Sequence, residues 1–190
     1  MVEFEDSESA GRVALSPRSV TERSDRDLMR VARAGSSDAA EALIERHWDG
    51  AHRIAFAILG DAHAAEDVTQ DAMISLLRSI GRFDLRRPLA PWLHRIVTNR
   101  ALDWRRARTR RAEVASIFAS PATEVGPDSA LSAALAELPP EQAALVALRY
   151  IGGYGPEEIA QMLGLRRGTV GSRLRRTLDQ LRIRLEEDDG

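Results

Sequence analysis

The sequence GPEEIAQMLGLRRGTVGSRLRRTLDQLRIR, residues 155–184, contains two helical patterns separated by a three-residue break at 164–166. Pro156 suits the first position of a helix, and Glu157 and Glu158 are favourable there because the N-terminal end of a helix carries partial positive charge. In the second pattern, apolar residues recur at three- and four-residue steps: Val170, Leu174, Leu178, Leu181 and Leu185. Two helices of these lengths, joined by a turn of only three residues, predict a helix-turn-helix.

The opposite face of the second helix is basic. Residues 166–184 contain seven arginines against one acid, Asp179, which gives this window a charge of +6. Such a helix can follow a phosphate backbone and insert side chains into a major groove. A solvated arginine-rich helix would explain the charge, but not the short turn or the acidic start of the preceding helix. The pattern therefore favours DNA binding through Arg167, Ser172, Arg173, Arg175 and Arg176.

The charge of the whole chain is unevenly distributed. The 190 residues carry a net charge of −2, but residues 82–111 contain ten arginines and two acids, and residues 36–71 contain eight acids and two arginines. This asymmetry predicts nucleic acid as a partner of the basic segments and a basic protein surface as a partner of the acidic one.

The sequence also excludes several classes of site. It contains no cysteine, which rules out disulfides and thiolate metal sites. Since no apolar run is long enough to cross a bilayer and the acidic start does not resemble a signal peptide, we expect a cytoplasmic protein without membrane insertion.

Length and periodicity predict an all-α protein with two small helical domains joined by a flexible linker. Residues 1–24 lack a sustained period and are interpreted as a mobile N-terminal arm, or alternatively as a segment that orders on binding. The first domain is expected at 25–111, the linker at 112–129 and the second domain at 130–190. At about 3.3 Å per residue, an extended linker of this length would reach roughly 60 Å.

In the first domain, a long helix is predicted to end at Gly60, and Asp61 is suited to cap the next helix. The exposed face of that next helix carries an acidic cluster of Glu66, Asp67 and Asp71. Favourable charge near the start of the helix, together with solvation, explains this cluster without a metal or acid–base site. Protein docking is therefore the favoured role, and no metal or other cofactor is expected.

A basic loop at 81–91, bounded by Gly and Pro, precedes a further helix that is predicted to begin near Trp92. The polar side of this helix forms a ladder of Arg95, Asn99, Asp103 and Arg106. A loop aromatic beside a basic helix suits single-stranded or locally melted nucleic acid. Phe83 is the candidate exposed platform for base stacking, whereas Trp92 and Trp104 are expected in the core.

The second domain is predicted to contain two helices, at 130–138 and 141–151, before the helix-turn-helix. Pro139 and Pro140 separate these helices, and Gly152 and Gly153 end the second of them.

Four blocks of sequence carry a family resemblance. They are EDVTQDAM (66–73), RFDLRRPLAPWLHRIVTNRALDWRR (82–106), ALAELPPEQAALVALRY (134–150) and EEIAQMLGLRRGTVGSRLRR (157–176). In their order and spacing they resemble bacterial RNA polymerase sigma factors of the extracytoplasmic-function (ECF) group of the sigma-70 family. That group keeps the second and fourth regions of the family, joined by a linker.

The resemblance implies three surfaces. Asp67, Gln70 and Asp71 would dock on the clamp helices of the largest polymerase subunit. The −10 promoter element would be melted and held by Phe83, Arg86, Arg87, Arg95, Asn99 and Arg106. The C-terminal domain, a helix-turn-helix of winged-helix-like type, would read the −35 element through Arg167, Thr169, Ser172, Arg173, Arg175 and Arg176. The polymerase flap and an anti-sigma factor are further partners that the family implies.

One position departs from the family pattern within the second helix of the helix-turn-helix. Gly171 stands where the family usually has Lys or Arg, which removes a charge. A glycine inside a helix also costs about 1 kcal/mol relative to alanine.

The resemblance and the residue patterns together predict a non-enzymatic initiation subunit that directs core RNA polymerase to promoters. One alternative is a stand-alone helix-turn-helix regulator with an N-terminal sensing or dimerisation domain, which would bind a palindromic duplex tightly by itself. A second is an enzyme acting on nucleic acid, but the sequence shows no nucleophile, metal cluster or acid–base pair for it.

Overall fold

The computed structural model describes residues 23–115 and 130–188, which fold into helices and turns without a β-strand. The helices are α1 Asp25–Arg33, α2 Ser37–Leu59, α3 Ala62–Ser79, α4 Leu89–Ala115, α5 Ala130–Glu137, α6 Pro140–Val146, α7 Pro156–Leu163 and α8 Arg167–Asp188. The all-α prediction is confirmed. Residues 1–22 of the predicted arm and residues 116–129 of the predicted linker lie outside the described ranges. None of the described helices is long and apolar enough to cross a membrane.

Helices α1–α4 form an N-terminal module around α2. The inner face of α2, including Ala51, Ile54 and Ile58, is completely buried, and α3 packs against it with Ala65 and Leu76 fully enclosed. Burial of apolar surface contributes roughly 25 cal/mol per Å², so packing of this face stabilises the module.

The ends of α2 and α3 follow the local sequence. Ser36 caps α2 by accepting a hydrogen bond from the Ala39 amide at 3.3 Å. Gly60 ends α2 in the left-handed conformation, with φ of 64°, which glycine adopts without steric cost. The Asp61 carboxylate then accepts from the Ala64 amide at 3.0 Å. The predicted roles of Gly60 and Asp61 are confirmed.

Helix α4 is longer than predicted at both ends. It begins at Leu89 rather than near Trp92, because Pro91 lies in the first turn, where a missing amide proton costs no helical hydrogen bond. It continues to Ala115, four residues into the segment assigned to the linker.

Helices α5–α8 form a C-terminal module that contains the predicted helix-turn-helix. The Gly155 amide donates to the Glu158 carboxylate at 2.8 Å and so starts α7, and Gly164, with φ of 66°, ends it. Val170 and Leu174 of α8 are buried on the side that packs against α7. Within the described part of this module no β-wing accompanies the two helices.

The predicted support helix at 141–151 has two parts. α6 begins at Pro140, and after Val146 the last turn, Ala147–Ile151, is π-helical. The Gly152 amide donates to the Ala147 carbonyl, five residues earlier, at 3.0 Å. Gly152 therefore ends the helix as predicted, and the chain turns Tyr154 into the interior.

The two modules pack against each other, a contact that the prediction of two small helical domains joined by a linker does not include. α2 contacts α5 and α6, and α4 contacts α6 and α7. Arg105 of α4 crosses this contact, donating to the carbonyls of Ile58 at 2.9 Å, Ala136 at 3.1 Å and Leu138 at 2.9 Å. Periodicity identifies a buried helical face but does not say which helix covers it, which is why the sequence missed this packing.

A buried hydrogen bond also links the modules. The Tyr154 hydroxyl lies 2.8 Å from Nδ1 of His94 on α4. Burial lowers the pKa of His94 to about 4, and the nearby His47 acts in the same direction. Burial raises the pKa of Tyr154 to about 12, and the charge of Glu158 adds to this effect. Both side chains are therefore neutral near pH 7, and His94, which appears isolated in the sequence, is a cross-module partner.

Candidate nucleic-acid and polymerase interfaces

Helix α8 presents the predicted basic face to solvent. Five of the six candidate side chains are exposed and Thr169 is half-buried: Arg167, Ser172, Arg173, Arg175 and Arg176 are the exposed ones. Val170 and Leu181 are buried on the opposite side. The helix thus has the division between apolar and cationic faces that binding to a DNA groove requires.

The side chains on this face make only a weak ion pair and a hydrogen bond within one helical turn. Arg167 lies 3.8 Å from Glu157 of α7, and both side chains are more than two-thirds exposed, so the pair contributes little to stability. The Ser172 hydroxyl donates to the Thr169 carbonyl at 3.2 Å, a bond that an alternative acceptor on DNA could replace. The basic face is therefore available to a polyanion.

A recess of about 490 Å³ adjoins this basic face. Arg173 and Arg176 line it together with Glu141 and Gln142 from α6. Burial opposes ionisation of Glu141, but its hydrogen bonds to the backbone and to Arg106 outweigh that effect and lower the pKa of the carboxyl. Glu141 is therefore an anion near pH 7 that compensates part of the positive charge here.

The basic loop after α3 is arranged differently from the prediction. Phe83 is 8% exposed and meets Trp92 edge-on, with ring centroids 5.2 Å apart. The prediction that Phe83 is an exposed platform is wrong in this arrangement, because burying an aromatic ring against a second ring is more favourable than exposing it. Trp92 and Trp104 are half-buried against the core, as expected.

The arginines of the loop lie outside. Arg82, Arg86 and Arg87 are exposed, and the Asp84 carboxylate accepts from the Arg86 amide at 3.0 Å and from its guanidinium at 3.2 Å. The backbone and side-chain hydrogen bonds of Arg86 lower the pKa of Asp84. Two open recesses of about 430 and 350 Å³ lie beside Phe83.

The polar ladder of α4 has two environments. Arg95 and Asn99 are exposed. Arg106 lies 3.4 Å from Asp103 on the same helix and 3.0 Å from Glu141 of the other module. The side chains of the ladder are therefore exposed near the loop, whereas Arg106 is ion-paired where the two modules meet.

The acidic face of α3 is exposed, but one of its carboxylates is engaged. Asp67 and Gln70 are exposed. Asp71 accepts from Arg100 of α4 at 2.7 Å, and Arg100 also donates to the Ser75 hydroxyl at 2.9 Å. Asp71 thus helps to join α3 to α4 in addition to contributing negative charge.

Two apolar residues on α3 belong to this surface and were missed by the sequence analysis. Ile74 is 44% exposed and Leu77 is 41% exposed. Together with Gln70 they follow a spacing of four and three residues, which puts them on one face of the helix. The sequence contains this second stripe beside the buried stripe of Ala65 and Leu76. Its spacing could have identified Ile74 and Leu77 as surface residues.

In the described ranges, no group of three or more His, Asp and Glu side chains comes together in a way that could hold a metal ion.

Comparisons with known proteins agree with this layout. The family model Sigma-70 region 2 matches residues 43–111, and the family model Sigma-70, region 4 matches residues 128–181. SigM, an ECF RNA polymerase sigma factor of Mycobacterium tuberculosis (strain ATCC 25618 / H37Rv), is 37% identical over 164 residues, which cover 84% of each chain. SigL of the same strain is 34% identical over 174 residues, covering 84% of this chain and 97% of SigL.

The chain belongs to the ECF sigma factors of the sigma-70 family.

Both modules of this sigma factor match the family. The N-terminal module therefore matches region 2, and the alternative of a stand-alone regulator with a sensing domain is not favoured. Among solved structures, CnrH in complex with the cytosolic domain of CnrY has a TM-score of 0.66 and 27% identity, covering 86% of this chain and 98% of CnrH. A further neighbour shares the fold at 22% identity and a TM-score of 0.64: the sigma factor RpoE of Bartonella quintana in complex with the anti-sigma factor NepR, covering 77% of this chain and 96% of RpoE. Helix α1 of this sigma factor precedes the segment that the region-2 family model matches.

Proposed function

We propose that this sigma factor binds core RNA polymerase through the exposed face of α3, holds the −10 element with the loop after α3 and the polar side of α4, and reads the −35 element with α8. The observation that supports this division best is the basic face of α8, where Arg173, Arg175 and Arg176 are exposed while Val170 and Leu174 anchor the helix. The chain contributes binding, and the chemistry of RNA synthesis belongs to the polymerase.

The polymerase-binding surface combines charge with apolar area. Asp67 and Gln70 would meet basic groups of the clamp helices of the largest subunit, and Ile74 and Leu77 would bury apolar surface against them. Charges at an interface guide orientation and association, and buried apolar side chains contribute affinity. We assign the predicted contact with the polymerase flap to the C-terminal module.

The −10 surface uses cations rather than an exposed aromatic. Arg86, Arg87, Arg95 and Asn99 are exposed along one loop and the helix that follows it. They supply phosphate contacts and hydrogen bonds to unpaired bases. Phe83 acts in this proposal as the buried anchor of the loop, and would stack on a base only if the loop rearranged on DNA.

Binding both promoter elements requires the modules to separate. The elements are about 25 base pairs apart by their numbering, roughly 85 Å at 3.4 Å per base pair. In the packed arrangement, Glu141 pairs with Arg106 of the −10 set and lines the same recess as Arg173 and Arg176 of the −35 set. With Arg106 and the −35 arginines both beside Glu141, the two sets cannot span that length of DNA. We therefore propose that polymerase and promoter hold the modules apart.

A protein inhibitor of the anti-sigma class is the proposed regulator. CnrH, which is similar to this chain over both modules, was solved with the cytosolic domain of CnrY. A partner that binds this sigma factor would compete with polymerase for the same surfaces. We place both events in the cytoplasm, where RNA polymerase works.

Two substitutions on different modules test the division of roles. Asp67→Arg reverses a charge on α3 and should weaken binding to core polymerase about tenfold or more, because like charges then face each other. Arg176→Ala removes a cation from α8 and should lower initiation at promoters that depend on the −35 element by about tenfold, while core binding stays unchanged. Asp71 is a poorer choice because its substitution also breaks the ion pair with Arg100.

The measurements are fluorescence anisotropy for core binding and run-off transcription for initiation, with promoters selected from a genomic library of the host. Parallel loss of both activities in both variants would contradict the division of roles. If the wild-type protein with core polymerase initiated at no promoter in the library, the proposed function itself would be rejected.

A further inference from the structure

Helix α1 is hydrogen-bonded to the backbone of the loop between α3 and α4, through two exposed arginines. Arg33 donates from Nε to the Ile80 carbonyl at 3.0 Å and from Nη2 to the Phe83 carbonyl at 2.6 Å. Arg26 donates from Nε to the Leu85 carbonyl at 3.0 Å. Arg26 and Arg33 are seven residues apart, close to two helical turns, so they extend from one face of α1. Three carbonyls of the loop region are thus bound by one helix.

Helix α1 is itself firmly attached to the module. Leu28 and Met29 are buried at 0% and 1% exposure. Asp25 pairs with Arg46 and His47, each at 2.9 Å, and the hydrogen bond from His47 is the main cause that lowers the pKa of the Asp25 carboxyl. The two arginines therefore project from a helix that is attached to the module through its first residue and its middle.

The chemistry of Arg33 suits this bridging role. A guanidinium presents several N–H donors in a rigid plane, so one side chain can bind two carbonyls in a fixed geometry, which a lysine ammonium does less well. Ile80 follows the C-terminal end of α3, where the helix carries partial negative charge that attracts a cation. Arg33 thus fixes the backbone at two points three residues apart.

The fixed backbone determines where the exposed arginines of the loop lie. Phe83 is buried under the loop, and Met29 of α1 lines the same recess as Phe83, Arg86 and Arg87. The carbonyls of Phe83 and Leu85 are bound by α1, and the side chains of Arg86 and Arg87, which follow them in the loop, are exposed. Loss of the contacts with α1 would leave Arg86 and Arg87 chemically intact but poorly oriented.

We propose that Arg33, supported by Arg26, is a positioning residue for the −10 element: it binds no DNA and fixes the loop that presents Arg86 and Arg87 to it. This inference rests on the proposed function of the loop. It assigns a role in promoter melting to α1, which lies before the segment matched by the region-2 family model.

The test compares Arg33→Ala, Arg33→Lys and, as a control on the same helix, Arg30→Ala; Arg30 is exposed and pairs with Asp27 of α1 itself at 2.8 Å. Holoenzyme with Arg33→Ala should melt the −10 element about tenfold less, measured by permanganate reactivity of thymines, because two charge-assisted hydrogen bonds are lost. Arg33→Lys should recover part of this loss, and Arg30→Ala should melt the promoter as the wild type does. Core binding by anisotropy should be the same for all four proteins.

Three outcomes would overturn the proposal: melting by Arg33→Ala at the wild-type level, a matching loss of core binding, or an equal effect of Arg30→Ala. If Arg33→Ala does not fold, Arg26→Ala provides the test, since this exposed residue makes one bond to the loop and should give a smaller melting defect with unchanged core binding. The proposed function is tested separately by the wild-type holoenzyme, which must initiate before any variant is compared with it.

Discussion

His94 shows how one residue links the chemistry of a side chain to the arrangement of the modules. It lies on α4, is 8% exposed, and bonds to the Tyr154 hydroxyl of the other module. His47 faces it from α2 and is itself paired with Asp25. A histidine buried in this way is held neutral, so its protonation opposes the packed state.

The packed state should therefore lose stability in mild acid. The ordinary pKa of histidine, 6.5, falls to about 4 in His94, so the unfolded chain binds more protons between these values. The stability that neutral His94 gives to the packed state is fully present above pH 6.5 and is lost as the pH falls towards 4. At 1.36 kcal/mol per pH unit, the loss between pH 7 and pH 5 is about 2 kcal/mol.

Urea unfolding from pH 7.5 to 5 measures this dependence. His94→Gln keeps a hydrogen-bonding group without titrating and should flatten the slope relative to the wild type. His63→Gln, at an exposed position on α3, is the matched control and should keep the wild-type slope. Identical slopes in wild type and His94→Gln would show that His94 does not titrate as described.

At the scale of elements, α8 carries a glycine that its structure does not require. Gly171 is exposed, and a Cβ added there would meet nothing within 4 Å. Gly171→Ala should raise the free energy of unfolding by up to about 1 kcal/mol, because alanine favours the helix. Gly153, also in open space but with φ of 74°, is the contrast: Gly153→Ala should destabilise the chain by roughly 1 kcal/mol. Thermal and urea unfolding of both variants test this pair, and a destabilised Gly171→Ala would contradict the account of α8.

The elements also show what the sequence can predict. Local rules located the ends of helices, as at Gly60, Asp61 and Gly164, because caps and left-handed glycines act within a few residues. They also separated the buried stripe of α8 from its basic face. They failed for Phe83, because a basic loop with one aromatic gives no local sign that Trp92 packs against the ring.

At the scale of the whole molecule, the candidate site is divided between two modules, and the sequence predicted its composition better than its geometry. The exposed arginines of α8 and the acidic face of α3 follow from periodicity. The ion pair of Asp71 with Arg100, the pair of Arg106 with Glu141 and the buried His94 contact do not. Each joins residues that are far apart in sequence, so a one-dimensional pattern contains no information about them.

The central claim is that two surfaces of one chain bind two promoter elements about 25 base pairs apart, although Glu141 links one end of the first to the second in the packed arrangement. The chain has no native cysteine, so single cysteines can be labelled uniquely. Gly81 beside the loop and Gly171 on α8 are both exposed with open space for a side chain.

The most direct measurement is DNA cleavage by an iron chelate attached to Gly81→Cys or to Gly171→Cys, labelled before assembly with core polymerase on a promoter. We predict cleavage near the −10 element from position 81 and near the −35 element from position 171. Cleavage at one common site from both positions would contradict the account.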